Sequence, residues 1–515
     1  MMKTSLRTLK RLIFLGILAI FHISASAQEI KIGMKMPVDL LNTPAAQRNA
    51  SVLDHIYDPL ICIGSAGDIV PCLAESWKNI DPVTWELKLR KGVKFHNGQE
   101  FTAEDAVWSL NRVTGGYEEG NGIKAKKDAR VGNFVVDKYT IRLGLEEPTP
   151  NLLSQLSFIK MKSKQVEMSG GSDNMGTGPF RFVKQIKNDT VLLERNEQYW
   201  RINPSEWKKV SFVFIPDLQA RLKALQEGQL QAIEDVSTQD VEKLRSNPNF
   251  SVISKASGRF IFLVLDVDRS RSPFVFDKND VVLEKSPLKD AKVRRAIFLA
   301  INRVLIRDQI MKGLSEPTHN FVKAGSMAFN DNYKSLRYDV KEAKKLLSEA
   351  GYKEGFKMTL HSANGLYLND AKIMSAVAEM LGEIGIIAKA ESMRPDDFIR
   401  RGELRQFSIG LVGWNTMDAD ALSPITGFAT CDLGTSNYNW ARYCNQKVDA
   451  LVQKAMKARS EKEHMLALKE AYGMVIADAA YIPIHQQMNT WVVHKKLRFT
   501  TRSDDRTHAY DFTTR

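Results

Sequence analysis

Trp85, Leu87 and Leu89 alternate with Glu86, Lys88 and Arg90, the period-two pattern of a strand buried on one face. Asn97-Gly98 predicts a tight turn, because both residue types tolerate positive φ. Thr102 with Asp105 three residues on predicts a capped helix start, and Ala106, Val107 and Leu110 form the apolar stripe that follows. Further strands are predicted over 29–32, 140–143, 190–194, 210–214, 259–266, 357–361, 386–391 and 408–412. Helices are predicted over 219–226, 369–384, 448–457 and 463–479, with Pro483 ending the helical signal. Asp339 and Glu342 open a helix over 340–350 that Gly351 stops at C′. Ser286-Pro287 precedes a long helix through Ala291, Val293, Ala296, Ile297 and Ala300. Strands and helices alternate without an internal repeat, which predicts an α/β protein.

The first 27 residues have a different pattern. Lys3, Arg7, Lys10 and Arg11 precede an apolar run over 12–23, and Ala25-Ser26-Ala27 supplies small residues for cleavage. This is the pattern of a secretory signal peptide over residues 1–27. The run is shorter than the ~20 apolar residues of a spanning helix. No cysteine stands directly after the cleavage site, which disfavours a lipid anchor and predicts a mature chain that is soluble outside the cytoplasm, in the periplasm.

Removing 27 of 515 residues leaves 488, about three domains' worth. The formal charge of +13 falls to about +9 without the four leader cations. Lys and Arg are interspersed with Asp and Glu, without a run of five like charges, so nucleic-acid binding is not expected. All four cysteines fall after the leader, where disulfides form. A hairpin turning at Ala66-Gly67-Asp68 would set Cys62 across from Cys72. Cys431 and Cys444 bracket a polar, turn-rich loop. Buried thiols remain the alternative for each pair; zinc does not fit, since neither pair has CxxC spacing or a histidine cluster nearby.

The segment WELKLRKGVKFHNGQEFTAEDAVWSLNR, residues 85–112, resembles the signature of solute-binding proteins of peptide-type ABC importers, the family of dipeptide- and oligopeptide-binding proteins. Gly176-Thr177-Gly178-Pro179-Phe180, Leu193 to Asn196 with Tyr199-Trp200, and Asp290 through Arg303 resemble further family motifs. So do Ala343 through Tyr352, Gly413-Trp414, and Tyr443-Cys444-Asn445 with Val448-Asp449. Most of these read as turns, caps and packing positions. The resemblance implies a two-lobed periplasmic binding protein with a hinge (type II, cluster C-like) and an extra inserted domain. Lobe I would comprise 28–57, 173–264 and 490–515, the inserted domain 58–172, and the other lobe 265–489, with crossings near Ser172-Asp173 and Val264–266. It also supports a Cys431–Cys444 disulfide.

The implied function is a receptor that captures a peptide-like solute between lobes and delivers it to an inner-membrane permease, as a monomer without a cofactor. The alternative solute is a glycan, nickel chelate, haem or opine-like compound. In such relatives an acidic residue after Gly-Trp holds the ligand's ammonium. Here its usual place is Met417, after Asn415, leaving Asp418 or Asp420 to touch ligand or to cap the loop. Trp414 either stacks on ligand or packs under the loop. Asn42, Thr43 and Tyr438 complete the candidate ligand contacts. No basic group for a dipeptide carboxylate is evident by spacing in HSANGLYLND, residues 361–370. There is no G-x-S-x-G elbow, no H-E-x-x-H and no Walker A loop, and the histidines are scattered, so neither catalysis nor a metal site is expected.

Overall fold

The computed structural model describes residues 29–35, 50–64, 68–114, 132–170, 174–186, 189–202, 205–324, 326–330, 337–416, 421–431, 438–502, 504 and 506–515. A twelve-stranded sheet runs through the molecule. Two of its strands exceed the rest, Phe250–Leu265 with 16 residues and Tyr481–His494 with 14. They pair antiparallel, Ser251 opposite Val493 at one end and Val264 opposite Tyr481 at the other.

Their two ends serve different cores. Trp491 and Val493 pack with Ile30, Ile32, Phe180, Val210 and Phe212. Phe250 and Val492 join an adjoining core of Leu222, Leu225, Val241 and Leu244. Residues 260–265, with Tyr481, Ile482 and Ile484, belong to the largest core, among Ile297, Leu360, Val377 and Leu468. Between the ends the register jumps from Ala256 to Phe260, as at a β-bulge. A separate antiparallel sheet in the order Ala74–Asp81, Thr84–Leu89, Thr140–Gly144, Phe134–Asp137 encloses its own core of Leu87, Leu89, Phe95, Phe101 and Ile141. Fully burying one such side chain stabilises by roughly 1.5–3 kcal/mol, so each core is an independent source of order.

The local patterns explain most elements. Leu87 and Leu89 are buried while Lys88 between them faces solvent. Asp105 accepts the Thr102 backbone N–H at 2.9 Å, closing the start of helix Ala103–Thr114. Asp339 accepts the Glu342 N–H at 2.9 Å, and Gly351 adopts φ +87° after helix Val340–Glu349. The hairpin pairing Ile61–Ile63 with Ile69–Pro71 carries a Cys62–Cys72 disulfide, and Cys431–Cys444 closes the second.

Three expectations differ. Only Gly98 of the Asn97-Gly98 turn takes positive φ; Asn97 instead accepts the Gln99 N–H through its side chain. The helix expected after Pro287 is interrupted: a single 3-10 turn, Pro287–Lys289, gives way to Ala291–Ala300, recapped by Asp290 on the Lys292 N–H. The strand expected over 259–266 begins nine residues earlier, at Phe250, because residues 250–256 pair in register with Met488–His494. Pro483, after helix Glu461–Asp478, lies within the other long strand opposite Phe262, beside a second register irregularity where its missing N–H is tolerated.

Candidate functional site

The family-like motifs are structural. At Gly176 and Gly178 an added Cβ would fall 2.0 Å from the Ile56 carbonyl oxygen and 2.5 Å from that of His55, so only glycine allows this turn against helix Ala50–Ile56. His96 fastens the turn, its ring nitrogen 3.0 Å from the Gly178 carbonyl. Arg294 donates to the carbonyls of Asp478, Leu288 and Lys289, and Arg303 to those of Pro483, Phe298 and Ile301. Burial lowers His55 and His485 to about 3 and His96 and His361 to about 4, so these four rings are neutral near pH 7. Among the described residues no group of His, Cys, Asp or Glu is arranged to hold a metal ion, and no helix is long and apolar enough to cross a membrane.

A cleft of about 400 Å³ opens where the long strands pass from one core to the next. Lys35, Asp235, Ser237 and Gln239 wall one side, Arg259 and Gln487 rise from the crossing strands, and residues 364–372 form the opposite wall. That wall is the HSANGLYLND segment and its continuation. Buried Asp370 accepts backbone N–H groups from Gly365 at 3.0 Å, Leu366 at 2.9 Å, Tyr367 at 3.0 Å and Ala371 at 2.9 Å. The carboxylate is spent on the loop, so it shapes the wall rather than reading a ligand. Asn369, at φ +58°, reaches across: its Nδ2 donates to Thr238 Oγ1 at 2.7 Å and to the Ile310 carbonyl at 3.0 Å. Tyr367 lies over Gly413, whose carbonyl accepts its hydroxyl at 3.2 Å.

Two groups in the cleft are uncommitted. Arg259 is half-buried and forms no ion pair among the described residues, whereas Lys35 is paired with Asp235 at 3.0 Å. Gln487 Oε1 is buried and accepts no hydrogen bond from any described residue. A buried acceptor without a donor costs roughly 1–3 kcal/mol. Both residues line the cleft.

Trp414 packs against Phe428 and Tyr438, with centroids at 6.0 and 5.3 Å, and covers Gly427. Neither Trp414, Asn415 nor Tyr438 borders this cleft, although Asn415 pairs with Arg259 across the ladder. Met417, Asp418, Asp420, Asn42 and Thr43 lie outside the described residues, as do the leader and Ser172-Asp173. Sequence reading missed Arg259 and Gln487 because neither lies in a recognisable motif. A basic side chain, Arg259, lines the same cleft from a different strand.

A fold of this kind, with two long strands joining two cores around a cleft, is that of the two-lobed periplasmic binding proteins. The family model for bacterial extracellular solute-binding proteins, family 5 (middle), matches residues 68–436, and the chain belongs to that family. Heme-binding protein A of Haemophilus influenzae is 26% identical over 454 residues, covering 81% of this chain and 79% of that protein. The dipeptide-binding protein of Escherichia coli is 24% identical over 477 residues, covering 83% and 84%. The structure of the periplasmic binding protein DppA from Helicobacter pylori, in complex with the peptide STSA, superposes with a TM-score of 0.71 at 24% identity, covering 94% of this chain and 98% of that one.

Proposed function

We propose that the chain is the periplasmic receptor of an ABC importer, capturing a peptide-like solute in the cleft and passing it to an inner-membrane permease. The carrying observation is the pair Arg259 and Gln487, a free cation and a free amide acceptor in one cleft. A solute with a carboxylate and an N–H complements both. Residues 1–27 direct export and are removed, and the receptor acts as a soluble monomer without turnover of its ligand. Lobe I comprises 28–57, 173–264 and 490–515, the inserted domain 58–172 and the other lobe 265–489, with hinge crossings near Ser172-Asp173 and Val264-Asp266. On this reading Asp418 or Asp420 takes the ligand's ammonium, and Trp414, Asn415, Tyr438, Asn42 and Thr43 are further candidate contacts outside the residues that line the described cleft.

A second reading, a non-peptide solute bearing carboxylates, such as haem or an opine-like compound, is favoured by Met417 standing where an ammonium-binding acid is expected. Thermal-shift screening of ligand-stripped protein against short peptides, sugars, nickel chelates and haem separates the two. A peptide shift that weakens on N-acetylation supports the first reading; stabilisation by another class alone overturns it. Arg259→Gln is expected to weaken the best ligand tenfold or more, since a charge-assisted bond contributes roughly 1.5–3 kcal/mol.

A further inference from the structure

The edge of a sheet offers unpaired N–H and C=O groups to any strand that meets it, and folded proteins blunt such edges with short strands, bulges or charge. Most edges here are blunted in this way. Strand Phe180–Ile186, at one end of the large sheet, has a register shift between Phe182 and Lys184. The outer strands of the four-stranded sheet have shifts at Ala74/Ser76, Asn79/Asp81 and Val135/Asp137. Strands Val275–Phe276 and Ser315–Pro317 have only two and three residues.

Strand Ile386–Met393 differs from all of these. It pairs only with Phe356–Ala363, parallel and in unbroken register from Phe356 opposite Ile386 to Ala363 opposite Met393. The Met393 carbonyl also accepts the Asn364 N–H. Among the described residues nothing else bonds its backbone, so its outer row of N–H and C=O groups has no partner. Alternation puts Ile387, Lys389, Glu391 and Met393 on one face. Ile387 is 62% exposed there, and Lys389 reaches Glu391 at 2.8 Å.

We propose that this edge pairs antiparallel with the same edge of a second copy of the chain, about a two-fold axis at Ala390. In that register Ile387 meets Met393, Ala388 meets Ser392 and Lys389 meets Glu391, each pair occurring twice. Sliding the ladder by two residues sets Lys389 against Lys389 or Glu391 against Glu391, and like charges directly opposite destabilise a ladder. The charges therefore select one register. A third charge lies close by: Arg401 Nη1 is 3.7 Å from Met393 Sδ, where the other copy presents uncharged Ile387. Pairing one patch with itself closes the assembly at two chains. One short ladder is small beside a standard interface of roughly 1,600 Å², so the pair forms at high concentration and the monomer remains the form in dilute solution. No residue of this strand lines the cleft, so pairing is independent of the solute.

The test is sedimentation velocity on the purified full chain from low micromolar to near-millimolar concentration. The expected result is an average mass that climbs towards that of two chains. Lys389→Glu and Glu391→Lys should each weaken association at least tenfold. An equimolar mixture of the two variants should associate as wild type does, because each then meets the opposite charge across the ladder. Glu391 also lies 3.8 Å from the buried His361 ring. Ile387→Lys avoids that neighbour and should weaken association equally, which keeps the test decisive if Glu391→Lys folds poorly. Arg259→Gln, confined to the cleft, should leave association unchanged. A mass independent of concentration, association that survives Lys389→Glu, or loss of association in Arg259→Gln overturns the proposal. Failure of the peptide reading would change none of these outcomes.

Discussion

Single residues here divide into those that hold the chain and those that face the cleft. Asp370 satisfies four backbone N–H groups and is committed, while Arg259, on a central strand of the sheet, forms no ion pair among the described residues. Glu234, next to cleft-lining Asp235, is a third kind. Burial pushes its carboxyl up from 4.5 to about 7, against a 2.8 Å hydrogen bond from Thr507, whose hydroxyl in turn accepts Trp491 Nε1–H at 2.8 Å. The unfolded carboxyl loses its proton near 4.5 and the folded one near 7, so between those values the folded state binds more protons. Stability contributed by this group therefore falls as pH rises through that window. Glu234→Gln keeps an acceptor for Thr507 without a charge to bury. Its Tm relative to wild type is expected to increase steadily from pH 5 to pH 8, and a difference independent of pH would refute the assignment.

Elements gain their meaning from where they meet. The Ala256/Phe260 shift falls where the long strands leave one core for the next, and Gly258 sits inside it. A Cβ there would lie 2.4 Å from the Thr416 carbonyl oxygen and 2.7 Å from Asn415 Oδ1. Asn415 ends the strand that contains Gly413-Trp414, and Thr416 follows it. Gly258→Ala is expected to destabilise by roughly 1–3 kcal/mol, as overpacking does, and to alter ligand affinity along with stability. Chemical denaturation paired with ligand titration checks both.

At the scale of the whole molecule, Asn369 bridges the walls of the cleft, and Leu314 and Leu368 pack towards the core of helix Thr238–Arg245. A ligand that binds one arrangement of these walls better than another shifts the population towards it. Small-angle scattering is expected to show a smaller radius of gyration at saturating ligand than in stripped protein. An unchanged radius would argue for a static cleft.

Local chemistry was legible in the sequence. Alternation predicted the strand at 85–89, capping residues predicted helix Val340–Glu349, and the paired glycines of residues 176–180 marked a turn that admits no side chain. These are contests among near neighbours along the chain, settled by sterics and hydrogen bonding within a few residues. The motifs together identified the family, because each spells a packing position of its fold. The cleft was not legible. Its walls come from residues 35, 235–239, 259, 364–372 and 487, and nothing in their spacing along the chain says that they meet. Whether Arg259 is paired or free, and whether Gln487 finds a donor, depends on partners hundreds of residues distant. Only tertiary packing decides which charges are compensated, because compensation depends on distance in space.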